Sequence, residues 1–314
     1  MKLVYLGSPE AAVAPLRSLV AAGHEVLLVV SQPDRRRGRG NALTPSPVKA
    51  AAMQLGLPTT DRVDDVLEAA ADGAELGIVV AFGRLIKSNL LDALPFVNLH
   101  FSLLPRWRGA APVERSLLAG DAETGVCLMA LEAGLDTGDV YRRVATPIGG
   151  EETADELRAR LVDIGSAMLV DALASGSVRA LGMAEPQVGE PTWATKLVPE
   201  EFELDWSRSA VELHRLVRVR AAWTTFREKR FKVHRIRVVD TSMEHDLAGT
   251  VGNHSSESVD GLEVTCGHGI VQLIEVQPEG RSVMSSIDWR NGAKPHVGER
   301  FGAFLEHREQ PGTE

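Results

Sequence analysis

The chain is predicted to be α/β, with a parallel-rich sheet in its amino-terminal part and a small β-barrel near its carboxyl end. Three observations carry this expectation. The chain opens with a strand–helix–strand unit over 3–30, which as a parallel pair takes a right-handed crossover. The apolar run Leu76–Phe82 reads as a further strand, and the apolar run Leu94–Val97 leads into another, Phe96–Phe101, which carries Asn98 and His100. After Asp205 the pattern changes to short alternating strands separated by Gly-rich turns, as in sandwiches and barrels.

In chain order, Leu3–Leu6 is a short strand ending at Gly7-Ser8-Pro9-Glu10. Ser8 is read as the N-cap and Pro9 as the first residue of a helix. That helix runs to Ala22 and stops at Gly23, with Pro15 kinking it or marking a fresh start. His24–Val30 is the second strand. Gln32–Pro47 holds Pro33, Asp34, four arginines, Gly38 and Gly40, and is read as a mobile basic loop, neither helix nor central strand. Helices are expected over Val48–Leu55, Asp64–Ala71 and Leu85–Leu91, with a short strand at Pro58–Thr60. Beyond Phe101 the chain bends at Pro105 and Gly109, then forms a helix (Pro112–Ala119), a strand (Thr124–Leu131), the loop Gly134–Asp139 and a strand (Val140–Pro147). The helix Ala154–Leu173 carries Leu157, Leu161, Ile164 and Met168 on one face. Gly176–Thr195 is irregular and is read as a linker. Asp205-Trp206-Ser207 is expected to cap a helix to Val219. Strands at Trp223–Phe226, Phe231–Val239, Gly249–Val251, Leu262–Cys266 and Ile270–Val276 then match a partly open five-stranded barrel of oligonucleotide-binding (OB) type.

Composition narrows the function classes. A chain of 314 residues, 44% hydrophobic and 25% charged, suits two globular domains. No run approaches the roughly 18 apolar residues of a membrane helix, and the apolar run at the amino terminus is too short for a signal peptide. Cys127 and Cys266 stand too far apart to suggest a metal pair or a disulfide framework. The expectation is a reduced, cytoplasmic protein with no metal. The net charge of −9 conceals a segregation, because Arg208–Arg237 holds ten basic residues against two acidic ones, a surplus of eight. A second basic knot is Arg35, Arg36, Arg37 and Arg39. Concentrated positive charge on an acidic chain suggests a polyanionic partner; the alternative is a solvated face with local salt bridges.

The chemistry is expected after the strand at Phe96–Phe101. Side chains alternate along a strand, so Asn98 and His100 point to one face. An amide beside an imidazole, at the carboxyl end of a sheet strand, is suited to binding a carbonyl oxygen and moving a proton. The alternative is a hydrogen-bonded core histidine beside a capping asparagine. In Gly134-Leu135-Asp136-Thr137-Gly138-Asp139, two glycines bracket Asp136 and describe a tight loop holding a carboxylate in place. A plain hairpin turn would also suit that stretch.

Taken together, Asn98–Pro112 and Gly134–Asp139 resemble the methionyl-tRNA formyltransferases. Gln32-Pro33-Asp34, Pro45-Ser46-Pro47-Val48-Lys49, Gly120–Gly125, Asp205-Trp206-Ser207, Gly249-Thr250-Val251 and Gln277-Pro278 also look like that family and fall in its order, so the resemblance spans nearly the whole chain. It implies a Rossmann-like formyltransferase domain over 1–175, a linker over 176–205 and an OB-like tRNA-binding domain over 206–314. It implies a catalytic trio of Asn98, His100 and Asp136. It further implies that Ser102, Leu103, Leu104 and Pro105 line a tetrahydrofolate site, against apolar walls that include Ala81-Phe82-Gly83. Arg35, Arg36, Arg37 and Arg39 would reach the tRNA acceptor end. The implied substrates are 10-formyltetrahydrofolate and initiator methionyl-tRNA, with no membrane and no obligate protein partner.

Two positions depart from the family pattern: Phe101 replaces a small residue, and Ala222-Trp223-Thr224 replaces a Pro-Trp-Pro-like turn. Phe101 is expected to face away from Asn98 and His100 and to alter packing alone. Three other readings compete. A nicotinamide enzyme could use Asp34 and its arginines, but Gly7-Ser8-Pro9 lacks the glycine pattern that admits a pyrophosphate. An RNA-binding module would have no use for His100. A formyltransferase acting on a small amine would not need the basic loop and the barrel together.

Overall fold

The computed structural model describes residues 1–37, 42–244, 247–252 and 261–302. The chain divides into two compact units. One comprises Met1–Ser116, Asp121–Gly149 and Asp155–Lys196; the other comprises Leu117–Gly120, Gly150–Ala154 and Leu197–Glu314.

The first unit begins with β1 (Lys2–Gly7), α1 (Val13–Ala21) and β2 (Glu25–Val30), followed by the short β3 (Arg35–Arg37) and β4 (Ala42–Thr44). Next come α2 (Pro47–Gln54), β5 (Thr59–Thr60), α3 (Val66–Ala71), β6 (Leu76–Val80), α4 (Ser88–Ala93) and β7 (Phe96–His100). The series continues with β8 (Arg108–Gly109), α5 (Pro112–Ala119), β9 (Glu123–Ala130), β10 (Val140–Pro147), α6 (Ala154–Leu173) and β11 (Trp193–Ala194). The main sheet has the order β10-β9-β7-β6-β1-β2-β5. β1, β2, β5, β6 and β7 run parallel; at one edge β9 runs antiparallel to β7, and β10 antiparallel to β9. Every residue of β6 and β7 is buried; β6 is apolar throughout, whereas β7 buries Asn98 and His100 among its apolar residues. A glycine at 165 lets α6 approach that sheet closely. A Cβ there would lie 2.8 Å from Leu99 Cδ2, so Leu99 and the helix share one face of β7 and leave the other face to its neighbours in sequence. Trimming Leu99 to Ala would cost about 2–5 kcal/mol in such a core.

Several expected boundaries move. The helix after β1 is not capped by Ser8, because Pro9 stays extended and a single 3₁₀ turn, Glu10–Ala12, precedes α1. The Ser8 hydroxyl instead accepts the amide of Gln32 at 3.1 Å. Pro15 falls in the first turn of α1, so it marks the fresh start rather than a kink; a missing N–H there leaves no helical bond broken. The basic loop contains a small hairpin of β3 with β4. The helix expected over Leu85–Leu91 begins only at Ser88, and Leu85 and Ile86 instead help to wall the cavity described below.

The second unit holds α7 (Ala210–Val219), β12 (Ala222–Phe226), β13 (Lys229–Glu244), β14 (Leu262–Thr265), β15 (His268–Pro278), β16 (Met284–Ser285) and α8 (Ser286–Ala293). The strands form an antiparallel sheet of order β12-β13-β15-β14, with β16 beside β15. Trp206, Phe226, Phe231, Trp289 and Phe301 pack at its centre, for example Phe226 on Phe301 with ring centroids 4.7 Å apart. Asp205 does not cap α7: its carboxylate accepts the Ser207 amide and hydroxyl. Ser209 is the cap, in a reciprocal capping box with Glu212. Gly249–Val251 is not a full strand and joins its neighbours through isolated bridges, Thr250 to Arg300 and Val251 to Val264.

Candidate active site

Asn98 and His100 sit two residues apart on β7, and the pleat brings them to one face. The strand holds them firmly, since Asn98 pairs across to Met129 and His100 to Cys127 of β9. Burial raises the Cys127 thiol, which makes it a poor nucleophile despite its place beside the imidazole.

The acid arrives from the connection between β9 and β10. Asp136 adopts the left-handed conformation, φ 51°, one that aspartate tolerates better than most residues. The flanking glycines serve a different purpose from the one their spacing suggested. Neither has positive φ, and both provide room. A Cβ at Gly138 would meet the Ala130 carbonyl oxygen at 2.0 Å, and one at Gly134 would meet Thr137 Oγ1 at 2.4 Å.

The three groups meet. Asp136 Oδ1 accepts from Asn98 Nδ2 at 3.4 Å. Its Oδ2 accepts the Gly109 backbone amide at 2.8 Å and lies 3.6 Å from His100 Nδ1. The other ring nitrogen, Nε2, lies 2.9 Å from the Trp107 carbonyl oxygen, so the imidazole faces an acceptor at each end. Asn98, His100 and Asp136 are only 9%, 5% and 8% exposed. A carboxylate this buried requires donors, and here it has them.

The turn that supplies Trp107 and Gly109 is itself held from a distance. Trp107 has φ 64° and Gly109 φ 123°, and a Cβ on Gly109 would lie 2.7 Å from the Ala194 carbonyl oxygen. β8 pairs in parallel with β11, and Thr192 Oγ1 accepts the Trp107 amide at 2.9 Å. The stretch read as a linker, Gly176–Thr195, therefore belongs to the first unit and scaffolds the site. Sequence reasoning marked the bend at Gly109 but gave Trp107 and Gly109 no role at the site, and it missed Gln187 and Thr192, because backbone groups and a lone Gln or Thr in an irregular stretch carry no periodic signal.

A cavity of about 520 Å³ opens over the trio, within the range of small-ligand sites. Pro9 after β1, Ala81–Ile86 after β6, the end of β7, Leu131, Glu132 and Gly134–Asp136 contribute to its lining. That is the crevice at the carboxyl ends of the parallel strands, where open α/β sheets bind ligands. Ala81, Phe82 and Gly83 lie in this wall as expected. Phe101 is also in the wall, a correction to its expected role in packing alone, because the chain begins to leave the strand there.

Ser102, Leu103, Leu104 and Pro105 are not among the residues lining this cavity. The buried Ser102 hydroxyl donates to the Arg106 carbonyl at 2.6 Å, and Leu104 packs with Cys127, Met129 and Val140. Leu103 faces a smaller hollow beside Arg106, Trp107 and Asp121. The Leu104–Pro105 peptide is cis. Arg35 and Arg36 lie exposed on β3; Arg39 and the side chain of Arg37 lie outside the described residues. Among the described residues no group of His, Cys, Asp or Glu is disposed to hold a metal, and no helix is long and apolar enough to cross a membrane.

The formyl transferase family matches residues 1–173, and the formyl transferase C-terminal domain matches residues 196–294. The chain is 42% identical over 313 residues to a methionyl-tRNA formyltransferase of Roseobacter denitrificans, covering 96% of this chain and 99% of the relative. It is 40% identical to one of Neisseria meningitidis, covering 95% and 99%. Its fold is shared with HypX of Aquifex aeolicus in complex with tetrahydrofolic acid, at TM-score 0.61 and 14% identity, covering 95% of this chain and 48% of that one. It is shared also with WlaRD, a sugar 3N-formyl transferase, at TM-score 0.61 and 15% identity, covering 90% and 99%.

Proposed function

The chain belongs to the methionyl-tRNA formyltransferase family, and from that premise we propose that Asn98, His100 and Asp136 transfer a formyl group to the α-amine of methionyl-tRNA. The donor is 10-formyltetrahydrofolate. The amine nitrogen bonds to the formyl carbon, the bond from that carbon to N10 breaks, and the proton lost by the amine balances the one gained by N10. The observation that carries this reading is the convergence of an amide, an imidazole and a carboxylate at the floor of one cavity.

Each residue has a role that its surroundings support. Asn98 donates from its amide to the formyl oxygen as that oxygen becomes negative; removing such a donor typically costs about 10²–10³ in rate. With Nδ1 facing Asp136, His100 Nε2 exchanges the Trp107 carbonyl for the reacting groups, takes the proton from the attacking nitrogen and returns it to the departing one. Asp136 orients the ring and stabilises its charged form. The folate fits the cavity by chemistry: Phe82, Ile86, Leu131 and Leu135 offer apolar walls, and the backbone of Ala81–Gly83 offers polar edges. Ser102–Pro105 contribute to that site by fixing the turn that leads to Trp107 and Gly109.

The tRNA is recognised through charge. Arg35, Arg36, Arg37 and Arg39 contact phosphates of the acceptor end, and the basic residues between Arg208 and Arg237 add affinity without reading sequence. We read the second unit as an OB-like barrel. Bridges run from β14 to Val251, from Thr250 to Arg300, and from Phe301 to Phe226 of β12, which is the path that would close its sheet. These substrates put the reaction in the cytoplasm. The test is formyl transfer from 10-formyltetrahydrofolate to charged initiator and elongator tRNA. Initiator tRNA is expected to be formylated preferentially; transfer to a small amine with none to either tRNA would overturn the reading.

A further inference from the structure

We infer that Gln187, in the segment between the two family matches, is the positioning residue that keeps Asp136 against His100; this rests on the formyl-transfer reading of the same site. Its Nε2 donates to the carbonyl oxygens of both Asp136, at 2.9 Å, and Gly138, at 2.8 Å. Its Oε1 accepts from Arg108 Nε at 3.1 Å and Nη2 at 2.7 Å. A primary amide has two N–H donors and two acceptor lone pairs, and all four are engaged. The orientation is unambiguous, since a flipped amide would set oxygen against two carbonyls and N–H groups against a guanidinium.

What the amide joins gives it its role. Arg108 lies between Trp107, whose carbonyl meets His100, and Gly109, whose amide holds the Asp136 carboxylate. The two carbonyls bracket Thr137 in the loop that carries the acid. One side chain therefore ties the acid's loop to the turn that orients the imidazole. It also secures the left-handed backbone of Asp136, a conformation that persists only where its surroundings hold it. Gln187 is in turn anchored two residues earlier, where Glu185 and Val140 exchange backbone hydrogen bonds at 2.8 and 2.9 Å. Gln187 is not among the residues lining the cavity, so its effect falls on the geometry of the reacting groups rather than on substrate contact.

Two variants test this. Gln187→Glu keeps the acceptor for Arg108 and loses both donors to the loop; Gln187→Met keeps the volume and loses everything polar. Steady-state kinetics with both substrates, across pH, are compared with wild type, and tetrahydrofolate binding checks that the site is folded. Both variants are expected to lose about 10- to 100-fold in kcat, to keep KM for folate and for methionyl-tRNA within about threefold, and to change the pH dependence of kcat because the charge beside the imidazole has moved. A Gln187→Glu enzyme within about twofold of wild-type kcat, or a loss of kcat with an unaltered pH profile, would overturn the inference while leaving the function intact. A wild-type enzyme that transfers no formyl group would overturn both.

Discussion

The carboxylate of Asp136 accepts the backbone amide of Gly109 at 2.8 Å, through the same oxygen that lies 3.6 Å from His100 Nδ1. The main chain therefore holds the acid through the same oxygen that faces the imidazole. Replacing Asp136 by Asn leaves one acceptor oxygen where Asn98 on one side and Gly109 and His100 on the other each meet one, and it removes the charge beside the ring. The Asp136→Asn protein is expected to fold normally, by its melting curve, and to lose about 10²- to 10⁴-fold in kcat. Near-normal turnover would remove Asp136 from the mechanism.

Gly138 tests the loop from the opposite side. Its Cβ would fall 2.0 Å from the Ala130 carbonyl oxygen and 2.9 Å from the carbon of that group, both backbone atoms that cannot move aside alone. Gly138→Ala therefore shifts the segment carrying Asp136. A kcat reduced at least about tenfold is expected, measured beside a control of retained helical circular dichroism. Wild-type kinetics would show that the loop absorbs a methyl group without disturbing the acid.

The basic segment that holds Arg35, Arg36, Arg37 and Arg39 is predicted to act through phosphate contacts. Changing Arg35, Arg36, Arg37 and Arg39 together to Ala should raise KM for methionyl-tRNA and leave kcat at saturating tRNA little changed. The slope of log KM against log salt should fall by about one for each phosphate no longer neutralised. An unchanged KM with an unchanged salt slope would discard the segment as a tRNA-binding element.

The second unit should weaken in acid through the cap of α7. The Arg208 guanidinium, followed by the Ser209 hydroxyl and amide, lowers the Glu212 carboxyl from 4.5 to about 2. A carboxyl held low in the folded state stabilises it above the unfolded value, and that contribution fades as pH falls from about 4.5 toward 2. The Glu212 side chain is 40% exposed, so solvent screening keeps the effect below what the shift alone suggests. Urea unfolding across this range should show a slope that Glu212→Gln flattens, and Ser209→Ala should cost about 1 kcal/mol at neutral pH. A Glu212→Gln protein with the wild-type acid profile would contradict this account.

Much of the first unit is legible in the chain because its signals are local. Ala154–Leu173 and Pro112–Ala119 are helices over the expected residues, since periodicity and flanking punctuation agree there. The start of α7 is not legible, because Asp205 and Ser209 are both good caps and the choice between them falls to Trp206. That side chain is buried and donates to Thr224 Oγ1 at 3.0 Å, which keeps residues 205–207 out of the helix. The place of Phe101 in the cavity wall is hidden for another reason: strand alternation holds only to the strand's end at His100.

The amino-acid sequence by itself determined that Asn98 and His100 share a face, that a parallel-rich sheet carries them, and that the chain belongs beside enzymes with the same motifs. The first two are consequences of covalent alternation and composition, which act over a few residues; the third rests on the resemblance of motifs spread along the chain. The family resemblance had named Asp136 beside Asn98 and His100, but tertiary structure alone decided the contacts: Asp136 reaches Asn98 across 38 residues, Gly109 reaches Asp136 across 27, and Gln187 reaches Asp136 across 51. Such contacts exist only once packing has overcome the entropy of closing those loops, and nothing in the local pattern records which donor will find which acceptor.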